Sequence, residues 1–326
     1  FSFDVEMFLL AKTRGLTVVS QPVTLIQSHE KSTLKLGGEL LRSVHWFAKL
    51  KAKQIKGEYQ ELPLLAPETV ALLQFTSDDW GLSKAVNDGI LALAEQGLVK
   101  RVSIMTTALE RDYRLQELLK VPHIQVGLHF NLTNGPMLGD YPAGSEMAKG
   151  FSLNGLLIRS WFGLKILSSE LINDIRNEFE LQAQSLKDQG IPITYFDGHH
   201  HMHLLPGVLA SIAPLAINKG MGHTRLVLDH RLFGSIKYLL VFLSLRARPV
   251  AKKAGLSYLP VSYPSMNAFL HRNRWRKQLA AIKEPTEVIC HPATLGDLQC
   301  LPEAYKDTYD GARTHEFWAI RSLSKG

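Results

Sequence analysis

The amino-acid sequence predicts an α/β protein whose main part is a β/α barrel of mostly parallel strands, and two observations support this. Strand-like runs rich in β-branched and aromatic residues alternate with helix-like segments, which is typical of this fold class. About 260 of the 326 residues belong to the alternating part, which is the usual size of one barrel. The strand-like runs lie at 70–77, 101–107, 125–132, 193–199, 224–228, 258–262 and 286–291.

The clearest helix is predicted in the stretch SSELINDIRNEFELQAQSLKDQG, which covers residues 168–190. Its apolar residues recur at near-helical spacing, and Gly190 is expected to end it. These apolar positions are Leu171, Ile172, Ile175, Phe179 and Leu186. Another helix is predicted after Gly81, where Ser83 is placed to cap its first turn.

The first strand-like run ends in two consecutive aspartates, Asp78 and Asp79, in the stretch LLQFTSDDWGLS. The carboxyl ends of strands are where barrels and open α/β sheets hold their active sites. An Asp-Asp pair in a loop is more commonly a cap or a turn. Here Ser83 serves as the cap, so both aspartates are available for another role.

Four histidines follow the fourth run within five positions, in TYFDGHHHMHL: His199, His200, His201 and His203. Imidazole near neutral pH is a metal ligand, a proton carrier or a hydrogen-bonding group. If the extended conformation continues, His199, His201 and His203 point one way and His200 points the other. A metal site, a buried polar network and a solvated turn all stay open from the cluster alone.

Two other strand-like runs also end in histidine. His129 lies in IQVGLHFNLTNG, and His291 lies in PTEVICHPATLGD just before a proline that stops the strand. A single histidine at a strand end is usually structural. Because strand ends converge on one face of a barrel, we expect the aspartates and histidines at these four ends to meet.

Four stretches in this order resemble the YdjC/ChbG-like carbohydrate deacetylase family: TSDDWGLSKAVNDGI, VGLHFNLTNG, YFDGHHHMHLLPGV and VICHPA. The resemblance covers residues 66–326. This family is related to the NodB-type polysaccharide deacetylases, which implies an irregular β/α barrel of the TIM type. Ser77 and Trp80 stand where alanine and phenylalanine are common in the family's first motif.

The resemblance implies a role for each matching position. Asp79, His129 and His199 would bind one divalent metal ion. Asp78 would act as the general base, and His291 would act as the general acid that protonates the leaving amine. The family implies Mg²⁺, while nitrogen and carboxylate ligands together also suit Zn²⁺.

Three further residues are expected around this centre. His201, His203 and Arg225 are predicted to contact the metal ligands or the substrate. The implied function is metal-dependent hydrolytic removal of an acetyl group from an N-acetylated amino sugar, either an oligosaccharide or a lipid-linked sugar. The alternatives are another metallohydrolase, such as a phosphoesterase, and a non-catalytic sugar-binding domain fused to a glycosyltransferase.

The N-terminal part is predicted to be a separate unit, so the expected division is 1–65 and 66–326. FSFDVEMFLLAKTRGLTVVSQPVTL resembles the final part of a family 2 glycosyltransferase of the polyprenyl-phosphate sugar transferase kind. Asp4 and Glu6 would be remnants of that active site, whose nucleotide-binding motifs are absent from this sequence. An unrelated helix and strand is the alternative.

Residues 38–56 form a predicted basic amphipathic helix, which suits peripheral contact with an anionic membrane surface, and an ordinary helix docked on the barrel is the alternative. For residues 235–248 an ordinary helix docked on the barrel is favoured over membrane contact. The net charge of +7 fits an anionic membrane or an anionic substrate. No interleaving of basic and aromatic residues indicates nucleic acid. The expected location is the cytoplasm, with the inner face of the membrane as the alternative.

Overall fold

The structure is a computed structural model that describes residues 47, 48, 51, 65–143, 145–150, 167–205, 207–228, 235–262, 272–294 and 310–323. The chain forms two compact units, Phe1–Leu64 and Leu65–Gly326. The glycosyltransferase-like stretch and the basic helix at 38–56 lie outside the described residues, except that residues 47, 48 and 51 are helical.

The described elements of the second unit alternate between strands and helices. The strands are β1 Leu73–Trp80, β2 Val99–Ile104, β3 Gln125–Phe130, β4 Ile193–Gly198, β5 His223–Thr224, β6 Val261–Ser262 and β7 Thr286–Cys290. The helices are α1 Pro67–Leu72, α2 Lys84–Glu95, α3 Leu115–Leu119, α4 Glu146–Lys149, α5 Ser169–Lys187, α6 Val208–Asn218, α7 Ser235–Ala254, α8 Arg272–Ala280 and α9 Asp310–Arg321. A short 3₁₀ helix, His199–Leu204, follows β4.

All seven strands form one parallel sheet in the order β5-β4-β3-β2-β1-β7-β6. This order follows the chain once around a circle, as in a barrel. A single bridge between His223 and Ser257 joins the β5 side to the segment before β6. The predicted α/β fold is therefore confirmed as a parallel, barrel-like sheet in which β5 and β6 are only two residues long.

Strand β1 carries buried apolar residues near its start and buried polar residues towards its end. Leu73 and Phe75 at its start are buried in the hydrophobic core, as expected for a strand covered on both faces. Its second half is polar yet equally buried, since Ser77 is fully buried and Asp78 and Asp79 are 2% and 1% exposed. Buried carboxylates are costly unless they are paired. This end of the sheet therefore needs compensating groups from neighbouring elements.

Serine caps begin the two predicted helices. Ser83 Oγ accepts a hydrogen bond from Val86 N at 3.2 Å, and Ser168 Oγ accepts one from Leu171 N at 3.1 Å. Each cap satisfies one of the backbone N–H groups that a helix start leaves unpaired. Gly190, with φ of 71°, takes the left-handed conformation just after α5. Both helices are confirmed at these positions.

Helix α7 docks on the barrel through one face, as predicted for residues 235–248, and this packing does not test membrane contact through its other face. Leu240, Leu243, Ala247 and Ala251 are buried on that face, which packs against α6 and the 3₁₀ helix. The Val227 N–H donates a hydrogen bond of 2.8 Å to Ser244 Oγ of α7. Among the described residues, no helix is both long enough and apolar enough to span a membrane.

Candidate metal centre and active site

A shift in strand register at the end of β1 brings both Asp78 and Asp79 into the site. Consecutive side chains of a regular strand point to opposite faces. Here the pairing of β1 with β2 shifts register between Ser77 and Trp80, and Asp79 has φ of 67°. Aspartate tolerates this left-handed region better than most residues, but a non-glycine residue there is uncommon and clusters at functional sites. Both carboxylates consequently join one polar network.

Three ligand-capable atoms converge beside Asp79. Asp79 Oδ1 lies 3.1 Å from His129 Nε2 and 3.0 Å from His199 Nδ1, and the two nitrogens are 3.2 Å apart. All three side chains are buried. Ligands at about 2.0–2.2 Å from one ion and on adjacent positions lie about 3 Å apart. The separations in this triad therefore suit a single divalent cation.

The surroundings of His129 also favour a cation at this point. His129 Nδ1 lies 2.6 Å from Asp197 Oδ1 and donates to it. Burial lowers the pKa of His129, but the carboxylates of Asp197 and Asp78 outweigh burial and raise the pKa to about 10. Because Nδ1 is held by Asp197, Nε2 is the nitrogen that His129 presents to Asp79 and His199. A carboxylate on the outer nitrogen is the usual support of a metal-binding histidine, so the residues fit a metal centre.

Asp79 is anchored by an arginine from the far end of the chain. Arg313 of α9 donates from Nη2 to Asp79 Oδ2 at 2.7 Å and is buried. Burial raises the pKa of Asp79, yet Arg313 and His199 together hold this pKa well below its ordinary value. Because Arg313 occupies Oδ2, Oδ1 is the oxygen that Asp79 presents to the two histidines.

Asp78 has a different partner. Arg225, directly after β5, donates to Asp78 Oδ2 at 2.6 Å and to Asp78 Oδ1 at 2.8 Å, a bidentate pair. The same guanidinium lies 2.6 Å from Asp197 Oδ2 and 3.2 Å from Glu287 Oε1. Arg225 is only 1% exposed, so it holds the carboxylates of the site and offers no surface to a substrate.

His291 is the most accessible member of the group, with 15% of its side chain exposed. Its Nε2 lies 3.8 Å from Asp78 Oδ2, and its Nδ1 lies 4.0 Å from Glu316 Oε2 of α9. Glu316 Oε2 also accepts a hydrogen bond of 2.5 Å from the backbone N–H of His291. His291 therefore stands at the entrance of the site, with one carboxylate on each side.

The alternating arrangement expected for the histidine cluster is wrong. Residues His199–Leu204 form a 3₁₀ helix, and His200 and His201 have φ of 52° and 57°. The chain leaves the sheet at Gly198, where a Cβ would lie 2.7 Å from His203 Nδ1. A side chain at this position would collide with His203, so the turn back towards the sheet requires glycine here.

Each histidine of the cluster has its own surroundings. His199 joins the triad, and its Nε2 is buried without a hydrogen-bond partner among the described residues. His200 Nδ1 lies 2.9 Å from Thr133 Oγ1 in the loop after β3. His203 Nε2 donates to the backbone oxygen of Arg225 at 2.9 Å, and burial lowers its pKa to about 4. Burial also lowers the pKa of His201 well below its ordinary value.

Several charged residues of the network were not predicted from the sequence, among them Asp197, Glu287, Arg313 and Glu316. Asp197 is the penultimate residue of β4 and contacts both His129 and Arg225, and its Oδ2 also accepts a hydrogen bond of 2.7 Å from Ser103. It could have been found, because it is a carboxylate near a strand end, two residues before the first histidine of the cluster. Arg313 and Glu316 lie three residues apart on α9, and no local pattern distinguishes them from surface charges.

A parallel barrel-like sheet that gathers an aspartate and two histidines at its carboxyl edge defines an α/β protein with a candidate metal centre. Residues 72–324 match the family of YdjC-like proteins, and the chain belongs to this family. This match covers the whole described sheet and every residue of the triad.

Two curated relatives are named as deacetylases of carbohydrates. The chain is 31% identical over 151 residues to a chitooligosaccharide deacetylase of Citrobacter koseri, covering 46% of this chain and 57% of the relative. It is 28% identical over 131 residues to a carbohydrate deacetylase of Oceanobacillus iheyensis, covering 40% of this chain and 54% of the relative. The chain thus spans just over half the length of these curated relatives.

A solved structure shares the fold. The crystal structure of a putative cellobiose-phosphate cleavage protein from Enterococcus faecalis superposes with a TM-score of 0.51 at 17% sequence identity. The superposition covers 77% of this chain and 94% of that protein. At this identity the likeness supports the barrel-like architecture alone.

Proposed function

We propose that the protein is a metal-dependent hydrolase that removes the acetyl group from an N-acetylated amino sugar. The observation that carries this proposal is the buried triad of Asp79, His129 and His199 beside two candidate proton carriers, Asp78 and His291, in a chain of the YdjC-like family. Relatives named as deacetylases of chitooligosaccharides and other carbohydrates support the substrate class.

Asp79, His129 and His199 would hold the ion, Mg²⁺ or Zn²⁺. When bound, the ion supplies a Lewis acid that polarises the acetamide carbonyl. The chain's own part is to keep the triad in place through Asp197 and Arg313, which each hold the outer side of one ligand. Such outer partners fix the orientation of the ligands.

Asp78 would accept the proton from the attacking water. Arg225 holds Asp78 in place through two hydrogen bonds. A carboxylate has about four lone-pair positions, so two stay available for a water molecule. His291, on the exposed side, would donate a proton to the departing amine. Amines are poor leaving groups, so the acid is needed as much as the base.

Arg225 also weighs against a two-metal phosphoesterase. A second group of possible ligands exists among the described residues, Asp78, His129 and Asp197. However, the Arg225 guanidinium already lies 2.6 Å from an oxygen of each of these two aspartates. A second cation would have to displace a buried arginine and would share His129 with the first ion. One ion and a hydrolysis at carbon therefore fit the site better.

The experiment that tests this function measures acetate release from a panel of N-acetylated sugars. The panel includes N-acetylglucosamine, short chitooligosaccharides and a polyprenyl-linked N-acetyl sugar. We expect equal amounts of acetate and free amine, abolished by a chelator and restored by added Mg²⁺ or Zn²⁺. Phosphate release from sugar phosphates without any acetate release would instead support the phosphoesterase, and binding without turnover would support a sugar-binding domain.

The role of His291 gives a second expectation. His291→Ala should lower kcat on ordinary N-acetyl sugars by about 10²–10⁴, the usual contribution of general acid catalysis. The loss should be much smaller on an aryl acetamide, whose amine departs without full protonation. The exposed His315→Ala serves as the matched control. An equal loss on both kinds of substrate would contradict the assignment of His291 as the acid.

The proposed division at 65 and 66, the glycosyltransferase origin of residues 1–65 and a cytoplasmic location remain proposals. A lipid-linked sugar as the substrate is supported by the order of the two resemblances along the chain. Comparing turnover of the polyprenyl-linked and free sugars in the same assay tests whether the substrate is lipid-linked.

A further inference from the structure

The outer face of α7 is apolar where it meets solvent. Tyr238, Phe242 and Leu245 are 65%, 48% and 53% exposed, and they are among the most exposed large apolar residues of the described chain. At about 100° per residue they fall within an arc of about 60° on the helix surface. They therefore form one stripe, directly opposite the buried Leu240, Leu243, Ala247 and Ala251.

Basic side chains extend this stripe towards the end of the helix. Arg246, Lys252 and Lys253 are exposed and lie on the same side as Phe242. The Arg246 guanidinium lies 5.9 Å from the centre of the Phe242 ring. The sequence of α7, SIKYLLVFLSLRARPVAKKA, contains no aspartate or glutamate. The outer face of α7 is thus both apolar and strongly cationic.

Helix α5 shows that the barrel does not require such a surface. Its length is nearly the same, 19 residues against 20, and it packs on β3 and β4 of the sheet. Its exposed positions are mainly polar or charged: Glu170, Asn173, Arg176, Asn177, Glu180, Gln184 and Lys187. Only Leu181 interrupts them, at 36% exposure. Solvent contact alone therefore does not explain the outer face of α7.

Helix α7 lies next to the segment that carries the histidines of the candidate site. Its buried face packs on the 3₁₀ helix His199–Leu204, which begins with a residue of the triad. Ser244 of α7 also holds the backbone of Val227, two residues after Arg225. A partner on the outer face of α7 would consequently lie one helix diameter from the segment that carries the histidines, about 10 Å.

We propose that the outer face of α7 docks on an anionic lipid bilayer. A stripe of aromatic and aliphatic side chains enters the headgroup region, while lysine and arginine contact anionic headgroups. The combination of Tyr238, Phe242 and Leu245 with Arg246, Lys252 and Lys253 meets both requirements on one helix. A neutral protein partner would use the apolar stripe and leave the cationic end without a counterpart.

The test measures binding of the full chain to vesicles by co-sedimentation. We expect binding to phosphatidylcholine vesicles that contain phosphatidylserine, weaker binding to phosphatidylcholine alone, and release at high salt. Phe242→Ser with Leu245→Ser, and separately Lys252→Glu with Lys253→Glu, should each weaken binding by roughly tenfold or more. Matched controls on α5, Leu181→Ser and Arg176→Glu with Lys187→Glu, should bind as the unaltered chain does.

Several outcomes would overturn the docking proposal. The proposal is wrong if the unaltered chain binds anionic and neutral vesicles equally well. It is also wrong if both α7 variants bind anionic vesicles as strongly as the unaltered chain does. If the unaltered chain is a dimer without lipid and the Phe242 and Leu245 variant is a monomer, the stripe is a contact between copies. Turnover of a soluble N-acetyl sugar, measured on the same variants, should stay unchanged. Binding is scored without turnover, so failure of the proposed reaction would be seen separately.

Discussion

Replacing Asp79 by asparagine should abolish metal binding and acetate release together. Asp79 Oδ1 faces both histidines of the triad, and an amide oxygen is a much weaker ligand for a divalent cation than a carboxylate. The change also leaves Arg313 without its anionic partner in a buried place. Removing one member of a buried ion pair costs about 3–5 kcal/mol, so a lower melting temperature should accompany the loss. Calorimetric metal titration and thermal unfolding measure the two effects.

His199→Gln separates these effects. It removes a nitrogen ligand but keeps the pair of Asp79 and Arg313, so the fold should be retained while metal affinity falls. The fall should exceed about 100-fold, the upper end for loss of a residue that only supports a ligand. Asp188→Asn, at an exposed position at the end of α5, is the control for both variants. Normal metal affinity in His199→Gln would show that the triad is not the metal centre.

Replacing Asp78 by asparagine should leave metal binding intact and lower kcat by about 10²–10⁴. Asparagine keeps the shape of Asp78 but cannot take a proton from water. Arg225 still has Asp197 and Glu287 as partners, so the network should stay folded. Metal titration and acetate release on the same preparation make the measurement.

Comparing Asp78→Asn with Asp79→Asn distinguishes a general base from a metal ligand. A loss of metal affinity in Asp78→Asn equal to that in Asp79→Asn would mean that both aspartates are ligands. A kcat within about tenfold of that of the unaltered chain would show that Asp78 is not the general base, since general base catalysis contributes more than this. Glu287→Gln, which touches the same arginine without reaching the triad, controls for disturbance of Arg225.

The parts of the fold that were predictable from the sequence depend on local patterns. All seven strand-like runs contain or overlap a strand, because β-branched and aromatic runs between turns specify strands locally. The lengths of the fifth and sixth were overestimated. At Arg225 the chain leaves the ladder and the side chain turns to Asp78, so a buried ion pair overrides the strand propensity of the residues that follow.

The candidate site was predictable where chemistry-bearing residues end strands. Asp79, His129 and His199 lie at the ends of three strands, and the parallel order brings them within 3.2 Å of one another. The path of the chain after Gly198 was not predictable, because His200 and His201 adopt left-handed conformations that the residue type histidine does not predict. Arg313 and Glu316 were not predictable either, since only the docking of α9 places them inside.

The pairing of Arg313 with Asp79 joins residues 234 positions apart. At a synthesis rate of roughly 5–20 residues per second, Arg313 is therefore made about 10 to 50 s after Asp79. Until then the sheet can form, but its carboxyl edge carries an aspartate without its counter-charge. The proposed metal centre would accordingly be completed late in synthesis, because the arginine that holds Asp79 Oδ2 and leaves Oδ1 facing the histidines is supplied only by α9.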